Sequence, residues 1–203
     1  MKRELILEII RERWSPYAIS SAPVEEFKLK AMFEAAGCAP SANNEQPWLF
    51  VYTTRDNPEI FDRYVSFLND GNKAWAKHAY ALIISMARMT FAGSGKPNRY
   101  ALYDTGMAVS NILLQAESFD LFVHQMGGYS VEMVREYLKL GEDIQPIAMM
   151  AAGYLGDGAA LTPELLKRDE ARRPRKSVTS YVFHNSMYEE AFRCDPEKMS
   201  SVI

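Results

Sequence analysis

Four short clusters of residues carry the side chains and glycines that could bind a ligand. The first is Arg13-Trp14-Ser15-Pro16-Tyr17, in which a guanidinium and a hydroxyl stand two residues apart. Such a pair can hold an anion, because a guanidinium binds phosphate through two parallel hydrogen bonds. An arginine near the end of a helix can equally offset the helix dipole. The cluster by itself leaves both interpretations open.

The second cluster is the polar segment from Ala39 to Trp48, which precedes a strand-like run. Its amide side chains are those of Asn43, Asn44 and Gln46. Amides offer both donors and acceptors, as the edge of a heteroaromatic ring requires. Turns are also rich in proline and asparagine without any ligand. The segment therefore indicates either a ring-binding loop or an ordinary turn.

The third cluster is Met126-Gly127-Gly128-Tyr129, where two glycines separate a strand-like run from a helix predicted to begin near Ser130. Glycine permits close approach of the backbone, so an N–H group here could bond to a ligand atom. A tight strand-to-helix turn would use glycine for the same conformational reason. Both interpretations remain at this point.

The fourth cluster, residues 167–176, contains six basic and two acidic residues. A run of charge is usually a solvated surface. Alternate residues of an extended segment point the same way, however, so Arg173 and Arg175 could face one phosphate. Solvation and phosphate binding are both compatible with this run.

Alternating helical and strand-like periods predict the elements that would position these clusters. Short apolar runs at 48–53, 80–86, 121–125 and 147–153 predict four strands of one small sheet. Helical spacing predicts a first helix that Pro16 stops, a second at 24–36 and a buried third at 102–116. Residues 177–183 are more typical of an extended arm than of an internal helix. With 203 residues, 48% of them hydrophobic, we expect one domain over residues 1–203, with a C-terminal arm at about 177–203.

Composition argues against several classes of function. A formal net charge of −3 gives no general attraction for nucleic acid. Cys38 and Cys194 lack the spacing of a disulfide framework or a zinc site, so we predict free thiols and no metal. The charged N-terminus is unlike a signal peptide, and no apolar run is long enough to span a membrane. We therefore expect a soluble cytoplasmic protein without nucleic acid or membrane partners.

The order and spacing of the clusters resemble the nitroreductase family of flavoenzymes over residues 11–183. The family opens with an Arg-x-Ser-x-basic element that holds the FMN phosphate; Arg13 and Ser15 match it, whereas Tyr17 takes the second basic position. The most specific match is the family's Pro-Ser-(Ser)-x-Asn-x-Gln-Pro-Trp loop, in which Ala42 replaces the second serine. Its matching residues are Pro40, Ser41, Asn43, Asn44, Gln46, Pro47 and Trp48.

The resemblance implies where FMN would bind. The loop would border the flavin ring and come largely from the opposite protomer to the glycine turn, so the site implies a homodimer. Asn72 matches an asparagine at the pyrimidine edge, and a backbone N–H of the glycine turn would meet flavin N5. The full implied FMN set is Arg13, Trp14, Ser15, Pro40, Ser41, Ala42, Asn43, Asn44, Gln46, Asn72, Met126, Gly127, Gly128, Arg173 and Arg175.

The resemblance also implies a fold and an activity. The fold would be α+β with three layers, a small mostly antiparallel sheet flanked by helices, and a C-terminal arm exchanged with the partner. Residues 104–108 would begin the central helix of the dimer, where Gly106, Ala108 and Ser110 would allow two helices to approach closely. The activity would be an FMN-dependent oxidoreductase that takes hydride from NADH or NADPH and reduces a small acceptor, such as a nitroaromatic or a quinone, by a ping-pong reaction.

No side chain would need to act as acid or base, because the hydride chemistry belongs to flavin N5. His124 is interpreted as structural. Aromatic residues between Phe61 and Tyr103, with Met86, Met89 and Phe91, could form a lid over the flavin. Two other classes stay open: a flavin-binding regulatory or sensor protein without turnover, and a cofactor-free structural dimer in which the basic run is an interaction patch.

Overall fold

The structure is a computed structural model that describes residues 5–171, 174–189 and 191. Compact packing divides the chain into two units, residues 1–170 and 171–203. All the helices and strands named here lie in the first unit. In chain order they are α1 (Glu8–Glu12), α2 (Glu26–Gly37), β1 (Trp48–Thr54), α3 (Pro58–Phe67), α4 (Asp70–Ala76), β2 (Ala81–Arg88), α5 (Ala101–Glu117), β3 (Leu121–Met126), α6 (Val131–Leu138), β4 (Ile144–Tyr154) and α7 (Pro163–Glu170).

The four strands form one antiparallel sheet in the order β1-β2-β4-β3. This confirms the predicted α+β class and the four predicted strands. The inner strand β2 is buried along nearly its whole length. Its side chains alternate between the two faces, as a strand period of two requires. The sheet is therefore covered by helices on both sides.

Each face of the sheet has its own hydrophobic core. One core combines Leu82 and Ile84 of β2 with residues of α3, α4 and α6. The other combines Ala81 and Ile83 of the same strand with residues of α2 and α5. The two cores produce the three-layer arrangement, with the sheet as the middle layer.

The first helix is shorter than predicted. It ends at Glu12 because the backbone at Arg13 is already extended, with φ −52° and ψ 128°, three residues before Pro16. None of its residues is buried, and Leu5 and Ile10 are exposed. The apolar spacing near the N-terminus therefore does not mark a helix packed in the core of the chain.

The long helix α5 agrees with the predicted bounds, but only one side of it is buried. Ala101, Ala108 and Ile112 face the core, whereas Gly106 and Ser110 are exposed on the other side. The expectation that Ala108 shares an outward face with these two residues is wrong. Helical geometry explains this, since residues two apart on a helix do not face the same way.

The second unit begins differently from the predicted extended arm. Residues Val178–Ser180 form one 3-10 turn, in which the backbone N–H and the hydroxyl of Ser180 both donate to the carbonyl of Ser177. Serine and threonine side chains favour such local bonds to the backbone. Within the described ranges, no helix combines the length and apolarity needed to cross a membrane.

Candidate flavin site

The loop before β1 is held in an unusual backbone conformation. Asn43, Asn44 and Gln46 all have left-handed φ angles, of 55°, 56° and 51°. Asparagine tolerates this region better than most residues, but non-glycine residues there carry strain of roughly 1–3 kcal/mol each. The hydroxyl of Ser41 accepts a hydrogen bond from the N–H of Gln46 at 3.0 Å and so closes the loop on itself.

Contacts from outside the loop support it at two further points. A carboxylate oxygen of Asp104, on α5, accepts the N–H of Ala42 at 3.0 Å, and Asp104 is only 3% exposed. The carboxylate of Glu45 accepts the N–H of Ala92 from the connection that follows β2. Sequence reasoning did not assign Asp104 a role in the site. The available signal was a carboxylate on the buried stripe of an otherwise apolar helix.

The glycine turn after β3 is brought against the start of α4. The side-chain amide of Asn72 donates to the carbonyl of Gly128 at 3.0 Å. The backbone N–H of Asn69 donates to the same carbonyl at 3.0 Å, and the Asn69 side chain caps α4. Asn72 and the glycine turn, predicted as separate parts of the site, thus lie together.

This turn leaves two backbone donors available to a ligand. Among the described residues, no hydrogen-bond acceptor is found for the N–H of Gly127 or of Gly128. Gly127 is exposed, and a Cβ added to it would meet nothing within 4 Å. A Cβ at Gly128 would collide with the side-chain amides of Asn69 and Asn72. The turn therefore fits the flavin edge that the family resemblance places there.

The segment Arg13 to Pro16 runs beside β3. The guanidinium of Arg13 donates to the hydroxyl of Ser15 at 3.4 Å, so the two predicted phosphate ligands are adjacent. The ring of Trp14 packs edge-on against Phe122, with centroids 6.1 Å apart. Nδ1 of His124 donates to the carbonyl of Pro16 at 2.9 Å, since a carbonyl can only accept. These contacts join the segment to the strand that leads into the glycine turn.

Tyr17 has a packing role that explains why it replaces a basic residue. Its ring packs edge-on against Trp75 and lies 4.8 Å from the His124 ring. Its N–H donates to one oxygen of Asp169 at 2.7 Å, and the N–H of Ala18 donates to the other at 3.1 Å. The half-buried ring packs against one core through Trp75, a contact that a charged side chain would not make as well.

His124 has the environment of a structural residue. Its ring is stacked on Trp75, with centroids 4.5 Å apart. Burial lowers the pKa of His124 below its ordinary value, although the bond to Pro16 and the charge of Asp169 oppose this. A neutral ring with Nδ1 bound is consistent with the interpretation of His124 as structural.

The candidate residues form two groups that the sheet separates. The loop group adjoins β1 and α5, and Ala39 belongs to the core on that face. The turn group adjoins β3 and α4, and Met126 and Trp75 belong to the opposite core. Because β1 and β3 are the outer strands of the four, they are separated by about 14 Å. One chain therefore presents the two groups on opposite faces of the sheet.

A family comparison accounts for this set of features. The profile of the nitroreductase family matches two overlapping stretches, residues 10–66 and 53–154. The chain belongs to the nitroreductase family. Both residue groups, from Arg13 to the glycine turn, fall within the matched stretches. The prediction of an enzyme of the nitroreductase type is confirmed.

Relatives of this nitroreductase family member are matched over most of their own length. An uncharacterized 15.4 kDa protein of the ask 5′ region of Mycolicibacterium smegmatis is 30% identical over 125 residues, covering 62% of this chain and 82% of that protein. A protein of Archaeoglobus fulgidus, provisionally named NADH dehydrogenase/NAD(P)H nitroreductase, is 29% identical over 158 residues, covering 76% and 87%. A crystal structure described as an oxidoreductase containing FMN superposes with a TM-score of 0.87 at 29% identity, covering 93% of this chain and 96% of that one.

Two predicted phosphate ligands, and Cys194 with its predicted free thiol, belong to the C-terminal segment. Arg175 is exposed in the second unit, and Arg173 and Cys194 lie outside the described residues. The predicted lid is wrong for Phe61 and Met86, which are each 2% exposed in the core. Phe61, Tyr64 and Phe67 of α3 and Trp75 of α4 face inward, because these aromatic side chains supply the bulk of one core.

Proposed function

We propose that this chain is an FMN-dependent oxidoreductase that uses NADH or NADPH to reduce a small acceptor. The observation that carries the proposal is the glycine turn, which Asn69 and Asn72 hold and whose two backbone N–H groups have no acceptor among the described residues. The turn ends β3, the strand that the Arg13 segment contacts. Backbone N–H groups and a guanidinium are the donors that a flavin ring and its phosphate require. The loop, the turn and the Arg13 segment each supply one part of such a site.

Each group would have a separate task in holding FMN. Arg13 and Ser15 would bind the phosphate, together with Arg173 and Arg175 of the C-terminal segment. An N–H of Gly127 or Gly128 would donate to the ring near N5, and Asn72 would contact the pyrimidine edge. Trp14, Met126 and the loop residues Pro40, Ser41, Ala42, Asn43, Asn44 and Gln46 would border the cofactor.

The proposed assembly is a homodimer. Since the loop group and the turn group lie on opposite faces of one sheet, a single planar ring cannot easily contact both in the same chain. Two copies would allow the loop of one protomer to meet the glycine turn of the other. The exposed side of α5, with Gly106 and Ser110, offers a surface where two backbones could approach closely.

The protein's task in this reaction would be to bind FMN, to orient its ring and to leave one place beside the ring open. FMN, when bound, would supply the redox chemistry by accepting hydride from NAD(P)H and passing electrons on to the acceptor. NAD(P)H and the acceptor would use the same open place in turn, which gives ping-pong kinetics. No acid or base is assigned, because His124 is packed between Tyr17 and Trp75. The acceptor class proposed is a nitroaromatic, a quinone or a similar small oxidant.

The absorption spectrum of the purified protein tests this proposal. Flavin bands near about 370 and 450 nm that bleach when NADH or NADPH is added without oxygen would support it. Bands that persist with either nucleotide would instead indicate a flavin-binding protein without turnover. Absence of bands after reconstitution with FMN would overturn the assignment.

A further inference from the structure

Two buried carboxylates each fasten one of the two residue groups of the site. Asp169, near the end of α7, is 8% exposed and accepts the N–H groups of Tyr17 and Ala18 at 2.7 and 3.1 Å. Asp104, in the first turn of α5, is 3% exposed and accepts the N–H of Ala42 at 3.0 Å. Both carboxylates therefore bind backbone that belongs to a predicted FMN-binding segment.

Among the described residues, neither carboxylate has the cationic partner that a buried charge usually has. In the part of the chain that the structure describes, no lysine, arginine or histidine forms an ion pair with Asp104 or Asp169. Burying a carboxylate is unfavourable unless hydrogen bonds compensate for the lost water. Hydrogen bonds from backbone N–H to a charged oxygen are stronger than neutral ones. The hydrogen bonds that the two carboxylates accept within the described residues therefore come from backbone N–H groups.

Asp169 acts on the phosphate end of the site. It holds residues 17 and 18, while His124 holds the carbonyl of Pro16. Three consecutive residues are thereby fixed immediately after Arg13 and Ser15. Because α1 ends at Glu12, these contacts anchor the extended segment that carries the two predicted phosphate ligands.

Asp104 acts on the ring end of the site. Its bond reaches Ala42 at the start of the 3-10 turn Ala42–Asn44. The left-handed Asn43 and Asn44 follow directly, and such a backbone persists only when its surroundings hold it. The hydroxyl of Ser41 supports the other end of this turn through Gln46.

We infer that Asp169 and Asp104 are positioning residues of the flavin site, the first for the phosphate end and the second for the ring end. The inference rests on the proposed function. The inference predicts that the two carboxylates influence the binding of different parts of the cofactor. Asp169 should therefore govern discrimination between FMN and riboflavin, which lacks the phosphate. Asp104 should instead govern the environment of the ring that both flavins share.

The test is a fluorescence titration of the flavin-free protein with FMN and with riboflavin. Asp169→Ala should weaken FMN binding by about tenfold and riboflavin binding much less, since phosphate contacts are charge-assisted hydrogen bonds. Asp104→Ala should weaken both flavins by a similar factor and shift the visible absorption of the bound flavin. Each variant serves as the matched control for the other, because both remove one buried carboxylate.

Asparagine variants separate positioning from simple loss of structure. Asp104 uses one oxygen, and an asparagine can still offer one acceptor, so Asp104→Asn should restore both binding and spectrum. Asp169 uses both oxygens, and an asparagine would turn a donor towards one N–H group. Asp169→Asn should therefore stay defective for FMN. It also serves as the volume-matched variant if Asp169→Ala does not fold.

The outcomes separate this inference from the proposed function. Wild-type protein that binds neither flavin would remove the proposed function and the inference with it. The proposed function would stay intact if wild-type protein binds FMN, Asp169→Ala weakens FMN and riboflavin in the same proportion, and Asp104→Ala shows neither a spectral shift nor rescue by Asp104→Asn. That second result would overturn the inference, because the carboxylates would then act only on general stability.

Discussion

At the scale of single residues, the candidate site depends more on backbone groups than on reactive side chains. The backbone N–H groups of the exposed Gly127 and the half-buried Gly128 are the clearest example, and Asn69 and Asn72 hold the turn that carries them. Such fixed donors can favour one state of a bound ring without any side chain exchanging a proton. The histidine nearest the turn along the chain, His124, is occupied in packing.

The two adjacent glycines make a matched pair for mutation. Gly128→Ala would place a Cβ against the side-chain amides of Asn69 and Asn72, the latter at 2.9 Å, so both must move. We expect a loss of about 1–3 kcal/mol in the free energy of unfolding, with weaker FMN binding, measured by urea denaturation and flavin titration. Gly127→Ala meets nothing within 4 Å and should be close to wild type in stability. Equal stability losses in the two variants would contradict this account.

At the scale of elements, strand β3 contacts both the segment Arg13 to Pro16 and helix α4. Its His124 contacts Pro16 through Nδ1 and packs on Trp75 of α4. The three elements are therefore fixed relative to one another by a neutral ring. A positive charge on that ring would disturb all of them, because charged groups are poorly tolerated in a buried position.

This arrangement predicts that stability falls as the pH is lowered. Burial lowers the pKa of His124 from 6.5, so below 6.5 the unfolded chain binds a proton that the native chain resists. The free energy of unfolding should be fully retained above 6.5 and should decrease as the pH falls through the lowered pKa. His124→Gln removes the titrating ring, although its amide nitrogen lies one position farther along the side chain than the Nδ1 that bonds to Pro16. Its stability should therefore change less with pH.

The measurement is urea denaturation at a series of pH values below about 7. Burial also lowers the pKa of His78, so the His124→Gln variant should retain a smaller slope rather than none. A combined His78→Gln and His124→Gln variant should remove most of what remains. Identical slopes for wild type and His124→Gln would show that the ring does not resist protonation in the native state.

At the scale of the whole molecule, the sheet separates the two halves of the candidate site. The loop and α5 share one face with α2, whereas the glycine turn shares the other with α3, α4 and α6. A planar cofactor in contact with both groups would need a second copy of the chain. The proposed dimer is therefore part of the proposed site and not an independent property.

This dependence predicts that a substitution that prevents dimer formation also prevents FMN retention. Gly106 lies on the exposed side of α5, and a Cβ there would meet nothing within 4 Å, so the single chain should tolerate Gly106→Arg. Across a helix pair, the long charged side chain should keep two backbones apart. Sedimentation monitored by protein absorbance should show a monomer, and the flavin absorption band should show no FMN moving with it. Ala160→Arg, at an exposed loop position, is the control and should remain a flavin-containing dimer.

Local chemistry along the chain was enough to predict much of the fold. The four strands were found because apolar and β-branched runs of that length favour extended backbone, and α5 because its apolar spacing follows the helical period. The turn after β3 was found from two glycines ahead of Ser130, whose hydroxyl caps α6. The family resemblance then related the separate clusters, since their order along the chain can be read without coordinates.

Only the tertiary structure decided how those clusters are held and divided. Asp169 is 152 residues from Tyr17 and Asp104 is 62 from Ala42, so neither contact leaves a periodic signal. The aromatic role of Tyr17 likewise depends on a neighbour from a distant segment, Trp75. Periodicity reports which side of an element is apolar. Packing between elements decides what that side meets, and here it placed the two halves of the site on opposite faces of the sheet.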